Sequence, residues 1–410
     1  MKPIYYGWWI VLASFAVAFY VAGTIFYGFT AFIEPLASEF GWSYTQISLA
    51  ASLRGLEMGL LAPFVGILVD RYGSRKLMLS GVLVLGFGLI MLGFTQSLGM
   101  FYGAFILIAF GAGGCTSVVT MTAVANWFEK NIGKAMGLTA CGFGASGLII
   151  PVIVWTIAVY GWRKTLTILG IGMWVIGIPA AIVMREKPEE TEDSPQAGEF
   201  QEISELSQRQ KDAGTFRYTE ILKEKSFLYV NLAEMIRLMA LMAVVTHIMP
   251  YLSSMEVSRM SSGLMAAGIP LLSIGGRFGF GWLGDIYPKK NIMALCFALM
   301  ALGMLALCYL KMPGMTYIFL LFFSNGFGGI TTLRAALLRE YYGRYNFGKY
   351  LGVMLGFGAC GGIIGPTTAG WVFDRTGSYY FVWLTLSALI GLAIILVLRI
   401  ESKAKREGRR

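Results

Sequence analysis

The chain is 410 residues long, 56% hydrophobic and only 14% charged, with a mean hydropathy of +0.66, a composition that excludes a water-soluble globule with a polar coat. Its net charge of +10 does not mark a nucleic-acid surface, because the basic residues fall in short loops between apolar runs. Those runs reach about 20 residues, the length a spanning helix requires, so the sequence predicts an all-α membrane protein embedded in a lipid bilayer.

Taken in order, the apolar runs predict twelve transmembrane helices, at 7–33, 45–69, 77–95, 99–127, 134–159, 165–184, 227–252, 260–284, 291–311, 315–338, 348–373 and 378–399. The first is too long for a cleaved signal core and lacks a small-residue cleavage site. It carries Tyr27, a candidate hydrogen-bonding group for a substrate. In the second span Arg54 and Glu57 stand three apart and project from one helical face, where they can pair. They are either a permanent structural pair or a proton-coupling pair in which Glu57 carries the proton and Arg54 opposes its uptake. That span ends in the polar turn Gly66-Ile67-Leu68-Val69-Asp70-Arg71-Tyr72-Gly73-Ser74-Arg75-Lys76. A carboxylate at such a helix mouth can cap a neighbouring helix N-terminus or hold a basic side chain of another segment. Gly66, Asp70, Arg71, Gly73 and Arg75 are therefore expected to form a gate. Ser117 and Thr120 of the fourth span are further candidate cavity groups.

Residues 185–226 break the pattern, being rich in Glu, Gln, Ser and Lys, and read as a flexible linker. They divide the chain into a six-helix bundle at 1–184, a second at 227–399 and a basic tail at 400–410. The single histidine, His247, lies near the end of the seventh span, with Tyr251, another candidate substrate-binding group, beyond it. Its intrinsic titration range suits proton coupling, and the plainer alternative is a hydrogen-bonded interfacial histidine. In the eighth span Arg277 interrupts a deep apolar run. A guanidinium cannot shed its proton and is costly in hydrocarbon unless it faces a polar cavity or an anion. Asp285, in the turn after this span, is expected to join the gate, and Asn325 in the tenth is another candidate binding group.

The two bundles repeat at one offset. Gly66 to Asp70 is echoed by Gly281 to Asp285, Gly133-Lys134 by Gly348-Lys349, and Pro35 by Pro250, each 215 residues on. Such a duplicated unit is the plan of a pseudo-symmetric transporter that holds its substrate at the midplane. Arg277 has no copy, its counterpart being Ala62.

Loop charge sets the expected orientation. Arg71, Arg75, Lys76, Lys130, Lys134, the linker, Lys289, Lys290, Arg339, Arg344 and the tail share one side, against few basic residues on the other. The positive-inside rule makes that side cytoplasmic, with both termini there and the protein in the cell's inner membrane. Cys115, Cys141, Cys296, Cys308 and Cys360 fall in apolar helices, where they serve as small packing residues. One histidine and no cysteine–carboxylate cluster do not supply a metal's donor set, and no cofactor is expected. No nucleophile–base set or phosphate-cradling loop marks an enzyme.

At Gly66 to Lys76 the chain resembles the signature loop of the major facilitator superfamily, with a partial copy at Gly281 to Lys290. Within it the chain resembles the monocarboxylate and oxalate/formate porter group, as a bacterial homologue of its monocarboxylate transporters. Tyr5-Tyr6-Gly7-Trp8-Trp9, the run Asn126 to Gly137 and Gly275-Gly276-Arg277 carry this likeness. The resemblance implies a small organic anion as substrate and matches Arg277 to the family's carboxylate-binding arginine. It also shows departures: Ser273 stands where animal carriers place an aspartate, Phe26 near their first-span lysine, and Met354 where oxalate exchangers have a second cation. One intramembrane cation at that level suits one carboxylate better than two.

The expected function is therefore alternating-access transport of a small monocarboxylate such as lactate or pyruvate, coupled to proton symport, by a monomer. The alternatives are exchange or export of organic anions, including dicarboxylates, and a non-transporting substrate sensor that would need the linker as its effector surface.

Overall fold

The computed structural model describes residues 5–56, 62–128, 132–185, 224–342 and 347–400. In the first half, α1 (Gly7–Val21) continues through a π-helical stretch, Ala22–Tyr27, and turns into α2 (Thr30–Phe40). α3 (Tyr44–Leu56), α4 (Ala62–Tyr72), α5 (Ser74–Gly93), α6 (Leu98–Cys115), α7 (Ser117–Trp127) and α8 (Ile132–Ala145) follow. α9 (Ile149–Val183) is two crossings joined at Gly161, whose φ of 77° reverses the chain with one residue. The predicted loop around Arg163 and Lys164 is thus the first turn of a helix.

The second half comprises α10 (Lys225–Ser253), α11 (Arg259–Ile286), α12 (Lys289–Cys308), α13 (Met315–Ile318), α14 (Ser324–Tyr342), α15 (Phe347–Thr376) and α16 (Tyr380–Leu398). A second π-helical stretch, Phe319–Phe323, joins α13 to α14. No strand occurs among the described residues. Ten continuous helical stretches there are long and apolar enough to cross a membrane, one of them the doubled α9 region.

The helices are apolar on both faces, as spans must be. On α16, Trp383, Leu386 and Ile390 are buried while Phe381, Leu392 and Ile395 point outward at the position of lipid. The internal repeat is visible in the helix boundaries: α3 and α11, and α5 and α12, begin 215 residues apart, at Tyr44 and Arg259 and at Ser74 and Lys289. Equal spacing of starts means that the turns were duplicated with the spans.

The two halves meet along α3 with α15, α2 with α10, and α8 and α9 with α11. Hydrogen bonds across the seam gather at the end remote from the linker. There Asp374 of α15 accepts from the backbone N–H groups of Tyr44 and Thr45 at 3.0 and 2.9 Å and from the Thr45 hydroxyl, capping α3. Nearby, Arg259 donates to the Ala31 carbonyl at 2.9 Å, and Ser52 to the Ile363 carbonyl at 2.9 Å. This far end is closed by direct contact.

Candidate substrate and coupling site

The chemistry concentrates where α10, α11 and α14 converge. α11 and α14 cross almost backbone to backbone: a side chain at Gly276 would overlap the Asn325 carbonyl oxygen, and one at Gly328 the Ser273 carbonyl oxygen. Small residues permit that approach in a membrane, where packing rather than hydrophobicity holds helices together. Its result is to fix Arg277 beside the stripe Phe327, Thr331 and Arg334 on α14. The Arg277 guanidinium lies 5.8 Å from the centre of the Phe327 ring, and that of Arg237, on α10, lies 6.0 Å from the same ring.

Glu234 and Arg237, one turn apart on α10, form a two-point ion pair. Arg237 Nη2 and Nε donate to Glu234 Oε1 and Oε2 at 2.6 and 2.7 Å. Arg334 also donates to Oε1. Side-chain exposure is 0% for Glu234 and 2% for Arg237, but 18% for Arg334. The charge of Arg277 reaches Arg334, and the charges of Arg277 and Arg237 both reach the Tyr27 hydroxyl at the end of the first π-helical stretch. Two guanidiniums thus hold one carboxylate and a third, Arg277, lies within range of Arg334, so that among the described residues of this cluster positive charges exceed negative by two, a surplus that an anion can balance.

Arg277 itself crosses the seam. Its Nη1 donates to the Ala140 carbonyl of α8 at 3.2 Å, while its Nε is buried without a hydrogen-bond partner among the described residues. An arginine with one donor spent on a helix carbonyl and another unspent retains capacity for a carboxylate.

The other candidates are spread more widely. Asn325 lies beside Gly275 and donates to the Leu321 carbonyl at 2.7 Å. Thr120 is buried on α7. Tyr251 donates to the Leu307 carbonyl and lines a far-end recess with Lys311 and Tyr380. His247 is fully buried in the far seam, not in the charged cluster. Its Nε2 lies 2.9 Å from both the Pro366 carbonyl and Ser48 Oγ, and its Nδ1 lies 2.9 Å from the Tyr379 hydroxyl. A carbonyl can only accept, so Nε2 carries the proton and Nδ1 accepts from Tyr379. That neutral ring is satisfied as it stands.

On the linker side, Arg71, Arg75 and Asp285 are exposed, and Gly73 has a φ of 79° at the turn from α4 to α5. Gly66 lies on α4, Glu57 lies outside the described residues, and the side chains of Arg54, Asp70 and Ser117 lie outside them as well.

The expectation of a single intramembrane cation at the level of Arg277 is corrected by Arg237 and Arg334. Both lie inside predicted spans, at 227–252 and 315–338, whose apolar runs hide them. The signal was the i, i+3 spacing of Glu234 and Arg237, the same spacing that singled out Arg54 and Glu57.

Comparison with known proteins decides the family. The model of the Major Facilitator Superfamily matches residues 13–333 and 257–410. The chain belongs to the major facilitator superfamily. This superfamily member is 24% identical to the uncharacterized MFS-type transporter YcxA of Bacillus subtilis over 95% of this chain and 94% of that one. It is 27% identical to human monocarboxylate transporter 12, covering 92% of this chain and 77% of the relative. In three dimensions it resembles a bacterial homologue of the human lysosomal transporter Spinster in an inward-facing, occupied conformation. The TM-score there is 0.74 at 12% identity, over 97% of each chain. The superfamily fold has twelve helices, and the protein is a multi-pass membrane transporter, not an enzyme.

Proposed function

We propose that the protein is a secondary active transporter of a small monocarboxylate, lactate- or pyruvate-like, which it moves with a proton by alternating access. The observation that carries this reading is Arg277: a half-buried guanidinium with an unspent donor, at the seam between the halves, in a cluster with surplus positive charge. The named monocarboxylate transporters among its relatives support the substrate class. Arg277 binds the carboxylate, with Tyr27 and Asn325 beside it, and its bond to Ala140 ties occupancy to the seam that must open. The linker side is taken as cytoplasmic, and the gate at Asp70, Arg71, Arg75 and Asp285 closes it in the opposite state.

The test is uptake of labelled lactate and pyruvate into liposomes. Arg277→Ala is expected to abolish it, and Arg277→Lys to reduce it at least about tenfold, because an ammonium keeps the charge but not the two-point fork. Transport by either variant at the parent's rate sinks the assignment. A second reading, exchange of dicarboxylates, is favoured by the surplus of two positive charges. Oxalate counterflow that outruns lactate counterflow would support it.

A further inference from the structure

Glu234 is the one carboxylate in the charged cluster among the described residues, and its surroundings are built. It is fully buried, held at two points by Arg237 of its own helix and at a third by Arg334 of α14. Arg237 is anchored: it is 2% exposed, its Nη1 lies 3.4 Å from Thr331 Oγ1, and Phe327 covers one face. Arg334 is different. At 18% exposure it is the member of the trio that reaches open space, and it lies within electrostatic range of Arg277. From α15 no charged group among the described residues approaches; instead Gly358 faces Glu234, and a methyl group there would sit 3.7 Å from Oε1.

We propose that Glu234 is the proton-carrying group of the transport cycle, and that Arg334 is shared in alternation between Glu234 and the substrate's carboxylate. This rests on the monocarboxylate reading above and names the coupling residue for it.

When a carboxylate enters beside Arg277, Arg334 is the nearest guanidinium free to turn toward it. Glu234 then loses one of its two counter-charges and Oε1 is uncovered toward the same space. A desolvated carboxylate with less positive charge around it favours its neutral form, so a proton from the entry side binds to Oε1. No covalent bond of the substrate changes: it crosses as the anion, with the proton on Glu234. On release, Arg334 returns to Oε1 and the proton leaves on the exit side. One turn of α10 toward the linker, Asn231 is fully buried, with its Oδ1 unpartnered among the described residues, and offers an acceptor on that route. Linkage requires the effect to be mutual: a proton on Glu234 tightens anion binding as much as the anion tightens proton binding.

The test combines infrared spectroscopy of the full-length protein with transport in liposomes. As pH falls, the substrate-free parent is expected to gain a protonated-carboxyl band that Glu234→Gln lacks, and saturating lactate should move its onset toward neutral pH. With an inward proton gradient the parent should accumulate lactate up to about tenfold per pH unit. Glu234→Gln should lose that accumulation, and its lactate counterflow should no longer vary with pH. Glu234→Asp, which keeps a titratable group, should retain both dependences and so separates coupling from folding. Accumulation by Glu234→Gln at the parent's level, a band that survives that substitution, or a pH-independent Glu234→Asp overturns the proposal. A parent that moves neither lactate nor pyruvate yet shows the Glu234 band would defeat the substrate reading and leave the proton site standing.

Discussion

Gly328 shows how little room the site leaves at the residue scale, since its missing side chain is what allows the Ser273 carbonyl and the backbone of Arg277 to lie against α14. Gly328→Val would force the helices apart at the level of both Arg277 and Arg334. Overpacking of this kind costs about 1–3 kcal/mol, and the expected outcome is a lower thermal midpoint together with weaker lactate binding. Gly352→Ala, on α15 where a methyl group meets nothing within 4 Å, should leave the midpoint in place. Normal midpoint and normal binding in Gly328→Val would show that this crossing does not position the arginine. Arg277 was legible from the chain alone because a lone charge in an apolar run needs a reason. Glu234 and Arg237 carry the same i, i+3 signal as Arg54 and Glu57, but a pair closed within one helix turn does not announce its third member, Arg334, 97 residues away from Arg237. Only the reach of the Arg334 side chain from α14 to Glu234 on α10 reveals that the carboxylate is outnumbered among the described residues.

At the scale of elements, the starts of the duplicated helices could be read from the sequence to within a few residues, because span length and turn chemistry are local properties. How helix ends are tied is not local. Asp374 caps α3 from the other half of the chain, and nothing in its own segment announces this. Loss of an N-cap on replacement by alanine costs about 0.5–2 kcal/mol, so Asp374→Ala should shift the balance toward the far-open state by roughly 2- to 30-fold. Thr367 of α15 lies at the seam, its hydroxyl 3.1 Å from that of Ser52; labelling of a cysteine placed there by a thiol reagent added from the far side would read the shift, and an unchanged labelling rate would argue against the cap as a latch. A second tie, within the first half, depends on pH. Hydrogen bonds from Arg163 and Trp162 hold the Glu39 carboxyl below the usual carboxylate range. A depressed folded value means stabilisation that is complete above the unfolded carboxylate's range and is lost as pH falls through the lower, folded value. Glu39 and Arg163 are more than a third exposed, so the contribution is small. The thermal midpoint of the parent should therefore fall toward that of Glu39→Gln in acid and exceed it at neutral pH. Parallel curves would remove Glu39 from the account.

For the whole molecule the decisive quantity is the charge that moves with the centre. Among the described residues the empty cluster holds three guanidiniums and one ionised carboxylate; loaded, it holds the same guanidiniums, a neutral Glu234 and an anionic substrate. The sum is unchanged, so neither leg of the cycle carries extra charge across the bilayer, and the same surplus that attracts the anion never has to be moved alone. The expected outcome is electroneutral transport: a potential of about 100 mV of either sign, imposed on liposomes with potassium and valinomycin, should alter initial lactate uptake by less than about twofold. A cycle that moved one net charge would gain or lose about 2.3 kcal/mol at that potential, enough for a roughly 50-fold change in accumulation. Exchange of a dianion for a monoanion is such a cycle. Uptake that follows the imposed potential and ignores the proton gradient would therefore replace symport with exchange, and would assign the two surplus positive charges to two carboxylates of one substrate.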